Sequence, residues 1–85
     1  MSITSANIVI TGDGGAISRM EAEGLVPRLG GNLENTVSRV CDFCVVLDNP
    51  GCTKIETAKK IIGNGGSVRI ISGEEFVALV KATLR

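Results

Sequence analysis

Apolar residues occur along the chain in short β-branched runs that alternate with longer segments of helical spacing. The runs over residues 8–11, 43–47 and 67–71 are rich in Val and Ile and are bounded by turn residues, which is typical of buried strands. Residues 32–37 form a weaker run of the same kind. The pattern therefore predicts four strands, of which the second has the weakest apolar pattern.

Three segments with helical spacing lie between or after these runs, over residues 18–29, 53–62 and 74–84. Each predicted start carries the capping-box pattern, in which a Ser or Thr side chain and a Glu three residues later satisfy free backbone donors. The pairs are Ser18 with Glu21, Thr53 with Glu56, and Ser72 with Glu75. The apolar faces of the second and third helices include Ile62 and Leu84. Pro27 removes a backbone donor within the first helix, so we expect a kink or an early end there.

The element order is β-α-β-β-α-β-α, and its strands are nearly continuous in apolar residues. Strands of this kind are buried on both faces, which indicates an α/β sandwich around a mainly parallel sheet. Glycine accounts for 11 of the 85 residues and falls in clusters between the periodic segments, where it marks turns. A chain of this length accommodates one small domain.

Charge and composition exclude several classes of function. Nine Lys and Arg residues balance nine Asp and Glu residues, so the formal net charge is zero, which argues against a broad basic surface for coating nucleic acid. No apolar run approaches the roughly 18 residues of a membrane span, and no secretory leader is recognisable at the start. We therefore expect no membrane association and a reducing compartment.

The residue types also limit the chemistry of the chain. It has no His, so a His-based catalytic triad and a His-ligated metal site are excluded. Cys41, Cys44 and Cys52 are one ligand short of a structural zinc site, and Cys44 lies in an apolar run. The cluster that begins at Gly12 lacks the spacing of dinucleotide-binding and P-loop motifs. We expect no catalytic residues, no metal and no cofactor.

Polar residues collect at the edge where parallel strands end and helices begin. Thr11 and Gly12 end the first strand, whereas Arg19 and Lys54 lie in the first turns of the first and second helices. Ligands of open parallel sheets bind at this edge. A cation at a helix start opposes the helix dipole, and a bound anion would remove that conflict. The alternative, that both cations are solvated surface residues, stays open on spacing alone.

The ordered motifs of the chain resemble those of the BRCT domain family. The motifs are Ile8-Val9-Ile10-Thr11-Gly12, Ser18-Arg19, Gly30-Gly31, Val37-Ser38-Arg39, Cys44-Val45-Val46, Thr53-Lys54-x-x-x-Ala58 and Ile70-Ile71-x-x-x-Glu75-Phe76. Each motif is weak alone, but their order and spacing are specific. The resemblance covers residues 6–84 and implies that 1–85 is a single BRCT domain. The branch it is most similar to is found in bacterial NAD-dependent DNA ligases and in the large subunit of replication factor C.

The resemblance implies an arrangement of the elements. It implies a three-layer sandwich whose four-stranded parallel sheet has the order 2-1-3-4. Helices 1 and 3 would lie on one face of this sheet and helix 2 on the other. The switch between strands one and three would then lie beside Thr11 and Lys54.

The resemblance also implies phosphate binding at this edge. Thr11 would donate its hydroxyl and Gly12 its backbone N–H, and Arg19 and Lys54 would add charge-assisted hydrogen bonds. Arg39, before strand three, would be a neighbour of this site and would contact a DNA backbone. The chain departs from the branch at Asp13, which adds a negative charge near the anion.

These implications define the expected function. The chain is expected to be a non-catalytic binding module of a replication or repair protein that recognises the 5′-phosphate of a DNA end. Any activity would belong to a parent enzyme such as a DNA ligase or a polymerase or exonuclease subunit. The alternative is a protein-interaction module, either phosphopeptide-binding or independent of phosphate. The expected location is the bacterial cytoplasm near the nucleoid, or the nucleus in a eukaryote.

Overall fold

The helices and strands follow the predicted order. The computed structural model describes residues 2–84 of the chain, which contain four strands and three helices. In chain order, the elements are β1 (Asn7–Thr11), α1 (Arg19–Arg28), β2 (Asn32–Leu33), β3 (Phe43–Val46), α2 (Cys52–Gly63), β4 (Arg69–Ser72) and α3 (Gly73–Thr83). Along the described residues, no helix has the length and apolar content needed to cross a bilayer.

The strands form one sheet in the order β2-β1-β3-β4, and every neighbouring pair is parallel. This confirms the predicted α/β class, strand order and strand direction. In the register of the two central strands, Ile8 lies beside Phe43 and Thr11 beside Val46. The connections leave β1 and β3 toward opposite edges of the sheet, so a crevice opens where these two strands end.

The sheet is covered on both faces by apolar residues. Ile8 and Ile10 of β1 belong to one core cluster, whereas Val9 between them belongs to another. Successive strand residues point to opposite faces, so the two clusters lie on opposite sides of the sheet. The first contains the buried apolar side chains of α1 and α3, which are Ala22, Val26, Phe76, Leu79 and Val80. The second contains Ala58, the buried residue of α2.

Of the three predicted capping boxes, one is complete, one is formed in part and one is absent. Ser72 and Glu75 form the complete capping box at α3. The Oγ of Ser18 accepts the N–H of Glu21 at 3.1 Å, and the same Oγ donates to the Glu21 carboxylate instead of the box's second backbone bond. The prediction for Thr53 is wrong, because α2 begins at Cys52 with Gly51 as its N-cap residue, which makes no side-chain cap bond.

The second strand is shorter than predicted. Pairing with β1 covers Asn32 and Leu33 only, instead of residues 32–37. The N–H of Glu34 donates to the carbonyl of Ile8 at 2.8 Å, and beyond it the chain leaves the sheet. Val37 is then buried in the cluster that contains Ala58. Burial of this side chain under the sheet outweighs continuation of an exposed edge strand.

The ends of the helices differ from the predicted apolar faces. Ile62 is 44% exposed and Leu84, which follows the end of α3, is 66% exposed, so neither is a core residue. Pro27 is the last residue but one of α1, where the helix ends at Arg28. The position near the end limits its cost, because a proline there removes only one hydrogen bond of the final turn.

Candidate functional site

An open groove lies where β1 and β3 end and where α1 and α2 begin. It has a volume of about 710 Å³. The groove brings together the four residues predicted from strand ends and helix starts, namely Thr11, Gly12, Arg19 and Lys54. Five further residues complete the lining, and they are Asp13, Asp48, Asn49, Gly51 and Thr53.

The end of β1 supplies two hydrogen-bond donors to this groove. Thr11 is 4% exposed, and its Oγ1 accepts the N–H of Gly51 at 3.2 Å. An oxygen that accepts in this way keeps its own proton for another acceptor. The N–H of Gly12 has no hydrogen-bond partner among residues 2–84. A hydroxyl and an amide are therefore available side by side.

Gly12 can be only glycine in this conformation. Its φ is +85°, and a Cβ atom would lie 2.5 Å from the carbonyl oxygen of Asp48 and 2.8 Å from that of Leu47. Both neighbours are backbone atoms, which cannot move as a flexible side chain could. The close approach of the β1 and β3 ends therefore depends on the absence of a side chain here.

The start of α2 faces the groove without a cap. Gly51 has no side chain to accept the first N–H groups, and the first turn contains no acidic residue. An α-helix leaves its first four N–H groups without intrahelical partners, and their positive end attracts anions. The same turn contains a cation, Lys54. Backbone donors and a side-chain charge thus favour a negative ligand at one place.

Lys54 is half-buried at this helix start. Its Nζ donates to the carbonyl oxygen of Ile10 at 3.3 Å, which directs the ammonium toward the end of β1. Across the described residues, no carboxylate forms an ion pair with it. Its positive charge is thus not balanced by a neighbouring carboxylate within residues 2–84, and an anion in the groove would supply that balance.

Arg19 is the first residue of α1, and two carboxylates contact it. Its backbone N–H donates to Oδ1 of Asp13 at 2.8 Å, and its side-chain Nε lies 3.3 Å from Oε2 of Glu23. Asp13 therefore occupies part of the helix start that an anion could otherwise use. The two terminal nitrogens of Arg19 have no partner within residues 2–84 and stay available.

Two acidic residues reduce the positive character of the groove. Asp13 and Asp48 line it together with Arg19 and Lys54. The formal charges of the lining therefore cancel, and its selectivity depends on where each charge lies. Asp13 was expected from the sequence, but Asp48, Asn49 and Gly51 were not. Their signal was present, because a turn of Asp, Asn, Pro and Gly directly after a strand reaches the same edge as Thr11.

Arg39 does not line the groove. The carbonyl of the next residue, Val40, accepts the side-chain N–H of Asn7 at 2.8 Å, and Asn7 is the first residue of β1. Strand length places this point about 13 Å from Thr11. Arg39 is thus an exposed residue near the opposite edge of the sheet, and its contact with a DNA backbone stays a prediction.

The cysteines do not contribute to the groove. Cys41 and Cys44 are buried free thiols, and Cys52 is exposed. Burial raises the pKa of Cys41 from its ordinary value of 9.0 to about 11, and burial also raises the pKa of Cys44. Both thiols are therefore neutral near pH 7. Residues 2–84 contain no cluster of three Cys, Asp or Glu side chains arranged to bind a metal.

Comparison with known proteins relates the chain to a small segment of DNA ligases. It is 38% identical over 78 residues to the DNA ligase of Sulfurihydrogenibium sp. strain YO3AOP1, which is 92% of this chain and 10% of the ligase. The DNA ligase of Aquifex aeolicus is 40% identical over 73 residues, or 86% of this chain and 9% of that protein. The DNA ligase of Coxiella burnetii strain RSA 493 is 34% identical over 80 residues, or 94% and 11%.

The matches cover most of this chain but only a small part of each relative. The chain spans about a tenth of the length of the relatives that it matches. No protein-family model matches the chain. Similarity to so short a segment is consistent with a domain of a DNA ligase-type protein, and it does not transfer the ligases' joining activity to this chain.

Proposed function

We propose that residues 1–85 form a single BRCT-type module that recognises a phosphate and catalyses no reaction. The observation that carries this proposal is the half-buried ammonium of Lys54, which has no carboxylate partner among the described residues and lies at an uncapped helix start. A phosphate oxygen beside it would accept from Nζ and from the first N–H groups of α2.

The other three residues complete a chemically consistent site. Thr11 and Gly12 offer one hydroxyl and one amide donor, and Arg19 offers two terminal nitrogens. A phosphate accepts hydrogen bonds through several oxygens, so donors on three sides suit it better than they suit a neutral ligand. The neutral overall charge of the chain fits one local phosphate and does not fit a long nucleic-acid track.

The proposed ligand is the 5′-phosphate at the end of a DNA duplex. Two considerations support DNA over other phosphates: the matched relatives are named DNA ligases, and the sequence resembles the replication factor C branch of the BRCT family. The chain would then act as a binding module within or beside a DNA ligase-type enzyme. Its partners would be DNA ends and replication or repair proteins, in the bacterial cytoplasm near the nucleoid or in a nucleus.

The test compares two duplexes that differ only at one 5′ end. Fluorescence anisotropy at fixed salt should give a dissociation constant at least about tenfold lower for the phosphorylated duplex than for the hydroxyl duplex, since two charged hydrogen bonds depend on the phosphate. The backbone amide resonances of Gly12 and Lys54 should shift only with the phosphorylated duplex. Equal affinities, or unmoved resonances, would contradict the proposal.

Salt dependence provides a second measurement on the same samples. A module that contacts one or two phosphates should give a slope of about −1 to −2 when the logarithm of the association constant is plotted against the logarithm of the salt concentration. A slope several times steeper would indicate extended contact with the DNA backbone. It would move the assignment away from recognition of an end.

A protein-interaction module is the second candidate, and one surface favours it. An apolar groove lies beside the outer strand β4, where Phe43, Ile71 and Leu79 are among its lining residues. The discriminating measurement is capture of a protein partner by the wild-type chain and by Lys54→Ala. Capture that persists in Lys54→Ala favours a phosphate-independent interaction. Capture of a phosphopeptide that is abolished by Lys54→Ala favours a phosphopeptide ligand in the groove that Lys54 lines.

A further inference from the structure

Arg19 and Glu23 form an ion pair on the surface of α1 beside the groove. The Nε of Arg19 lies 3.3 Å from Oε2 of Glu23, one helical turn later, and the two side chains are 39% and 40% exposed. The same arginine lines the groove. The pair therefore connects a groove residue to a carboxylate that does not itself line the groove.

The order of the two residues does not favour helix stability. In a helix, an acidic residue followed four positions later by a basic residue is better than the reverse, because the dipole favours acids near the start. Here the cation comes first, at the first position of α1. An exposed ion pair changes the folding equilibrium constant by only about two- to fivefold, whatever the order of its residues. The main physical consequence of this pair is the orientation of the Arg19 side chain.

The pairing uses the Nε–H of the guanidinium and leaves its two terminal nitrogens free among the described residues. Glu23 accepts from Nε, while the two terminal nitrogens have no partner among residues 2–84. These nitrogens form the planar fork that binds two phosphate oxygens at once. An unpaired arginine side chain would lose rotamer freedom on binding a ligand, and a paired one has already lost part of it.

We propose that Glu23 is a positioning residue for phosphate recognition, because it orients the Arg19 guanidinium with its terminal nitrogens toward the groove. This inference rests on the proposed function of the groove. Glu23 would act through Arg19 and would not contact the phosphate.

The sign of the effect separates positioning from simple electrostatics. A carboxylate near a bound phosphate repels it, so if charge alone mattered, removing Glu23 would tighten binding. If Glu23 orients Arg19, removing it weakens binding despite the more positive surface. We expect Glu23→Gln to raise the dissociation constant for the 5′-phosphorylated duplex about two- to fivefold and to leave the hydroxyl duplex unchanged.

Glu21 offers a matched control on the same helix. Its Oε1 accepts from the Oγ of Ser18 at 3.1 Å, and it forms no ion pair with Arg19. Glu21→Gln changes the net charge by the same amount at a similar distance along α1. The control should therefore tighten binding slightly or leave it unchanged, and Glu23→Asp should recover part of the affinity lost in Glu23→Gln.

A double-mutant cycle tests whether Glu23 acts through Arg19. Glu23→Gln should have no weakening effect when Arg19 is already Ala, because the orientation of the missing side chain no longer matters. In the free protein, the Nε–H bond of Arg19 should also be less ordered in Glu23→Gln than in wild type, as measured by heteronuclear relaxation of its resonance. Thermal unfolding of each variant shows that the comparison uses folded protein.

The outcomes separate this inference from the proposed function. If wild type prefers the phosphorylated duplex but Glu23→Gln binds it equally or more tightly, the positioning role is overturned and the phosphate groove stands. A weakening that persists in the Arg19→Ala background also overturns it. If wild type itself shows no preference for the phosphorylated end, the proposed function is wrong, and this inference is overturned with it.

Discussion

Helices α2 and α3 follow neighbouring strands and begin at the same edge of the sheet, yet their first turns are built in opposite ways. The start of α3 has a Ser72–Glu75 capping box and two acidic residues in its first turn. Gly73 is buried there against Leu47 and Ala16. The start of α2 has Gly51 as an N-cap without a side-chain bond, no acid and a lysine.

A capped helix start stabilises the helix, whereas an uncapped start leaves backbone donors for a ligand. At α3, side chains of the helix itself satisfy the free backbone donors, so the helix gains stability and offers little to a ligand. At α2, the donors stay available and the helix gains nothing from a cap. A ligand that supplied the missing acceptors would stabilise α2 in the way that Ser72 and Glu75 stabilise α3.

The largest expected effect concerns the backbone beside the α2 start. Gly12→Ala should lower the free energy of unfolding by about 2–5 kcal/mol, because the new Cβ meets two carbonyl oxygens and the positive φ disfavours alanine. Chemical denaturation measures this loss. Gly14→Ala is the matched control, since φ is +92° but a Cβ there meets nothing within 4 Å. Equal losses in both variants would show that the close approach at Gly12 is unimportant.

Removal of the α2 cation tests the binding role of this helix. Lys54→Ala should weaken binding of a 5′-phosphorylated duplex by about 1.5–3 kcal/mol, since a charge-assisted hydrogen bond is lost. Isothermal titration or anisotropy measures the change. Lys59→Ala removes an exposed lysine of the same helix that does not line the groove, so its effect should be small. Similar losses in both variants would indicate a diffuse electrostatic effect.

Separate alanine substitutions of Ser72 and Thr53 compare the two helix starts directly. Ser72→Ala should destabilise the protein by about 1 kcal/mol, because α3 loses its cap. Thr53→Ala should change stability by less than about 0.5 kcal/mol, since Thr53 lies inside α2 and does not cap it. Thermal unfolding of the two variants under identical conditions gives the comparison. A loss at Thr53 as large as that at Ser72 would contradict the assigned start of α2.

The smallest effect comes from giving α2 the cap that it lacks. Gly51 has φ −74° and ψ 148°, which suits an N-cap side chain, and a Cβ there meets nothing within 4 Å. Gly51→Asp should therefore raise the free energy of unfolding by about 0.5 kcal/mol. The same carboxylate should weaken phosphate binding, and Gly51→Ser should do so less. Added stability with unchanged phosphate affinity would place the ligand away from α2.

Much of the fold was readable because the strands and helices have strong periodicity. The order of the elements, the parallel sheet and the α3 cap are all consequences of patterns within a few residues. The start of α2 was not, because Gly51 and Thr53 are both acceptable N-cap residues locally. A contact from far along the chain decides between them, since Thr11 accepts the N–H of Gly51 across 40 residues.

The candidate site shows the same division. Strand ends and helix starts were enough to predict that Thr11, Gly12, Arg19 and Lys54 would lie together. The pairing of Arg19 with Glu23 depends on rotamers that a sequence does not specify. Arg39 was placed near the groove by the family resemblance alone. In the structure it precedes β3, and in a parallel sheet a residue before a strand lies at the edge opposite to its end.

The shortness of β2 bears on how copies of this chain behave in concentrated solution. A protein with zero formal net charge has little electrostatic repulsion between its copies. Open sheet edges then become the main hazard, because their unpaired backbone groups can join strands from other molecules. Here one outer strand has two residues and the other has four. We therefore expect edge-to-edge pairing between copies to be limited by the shortness of these outer strands more than by surface charge.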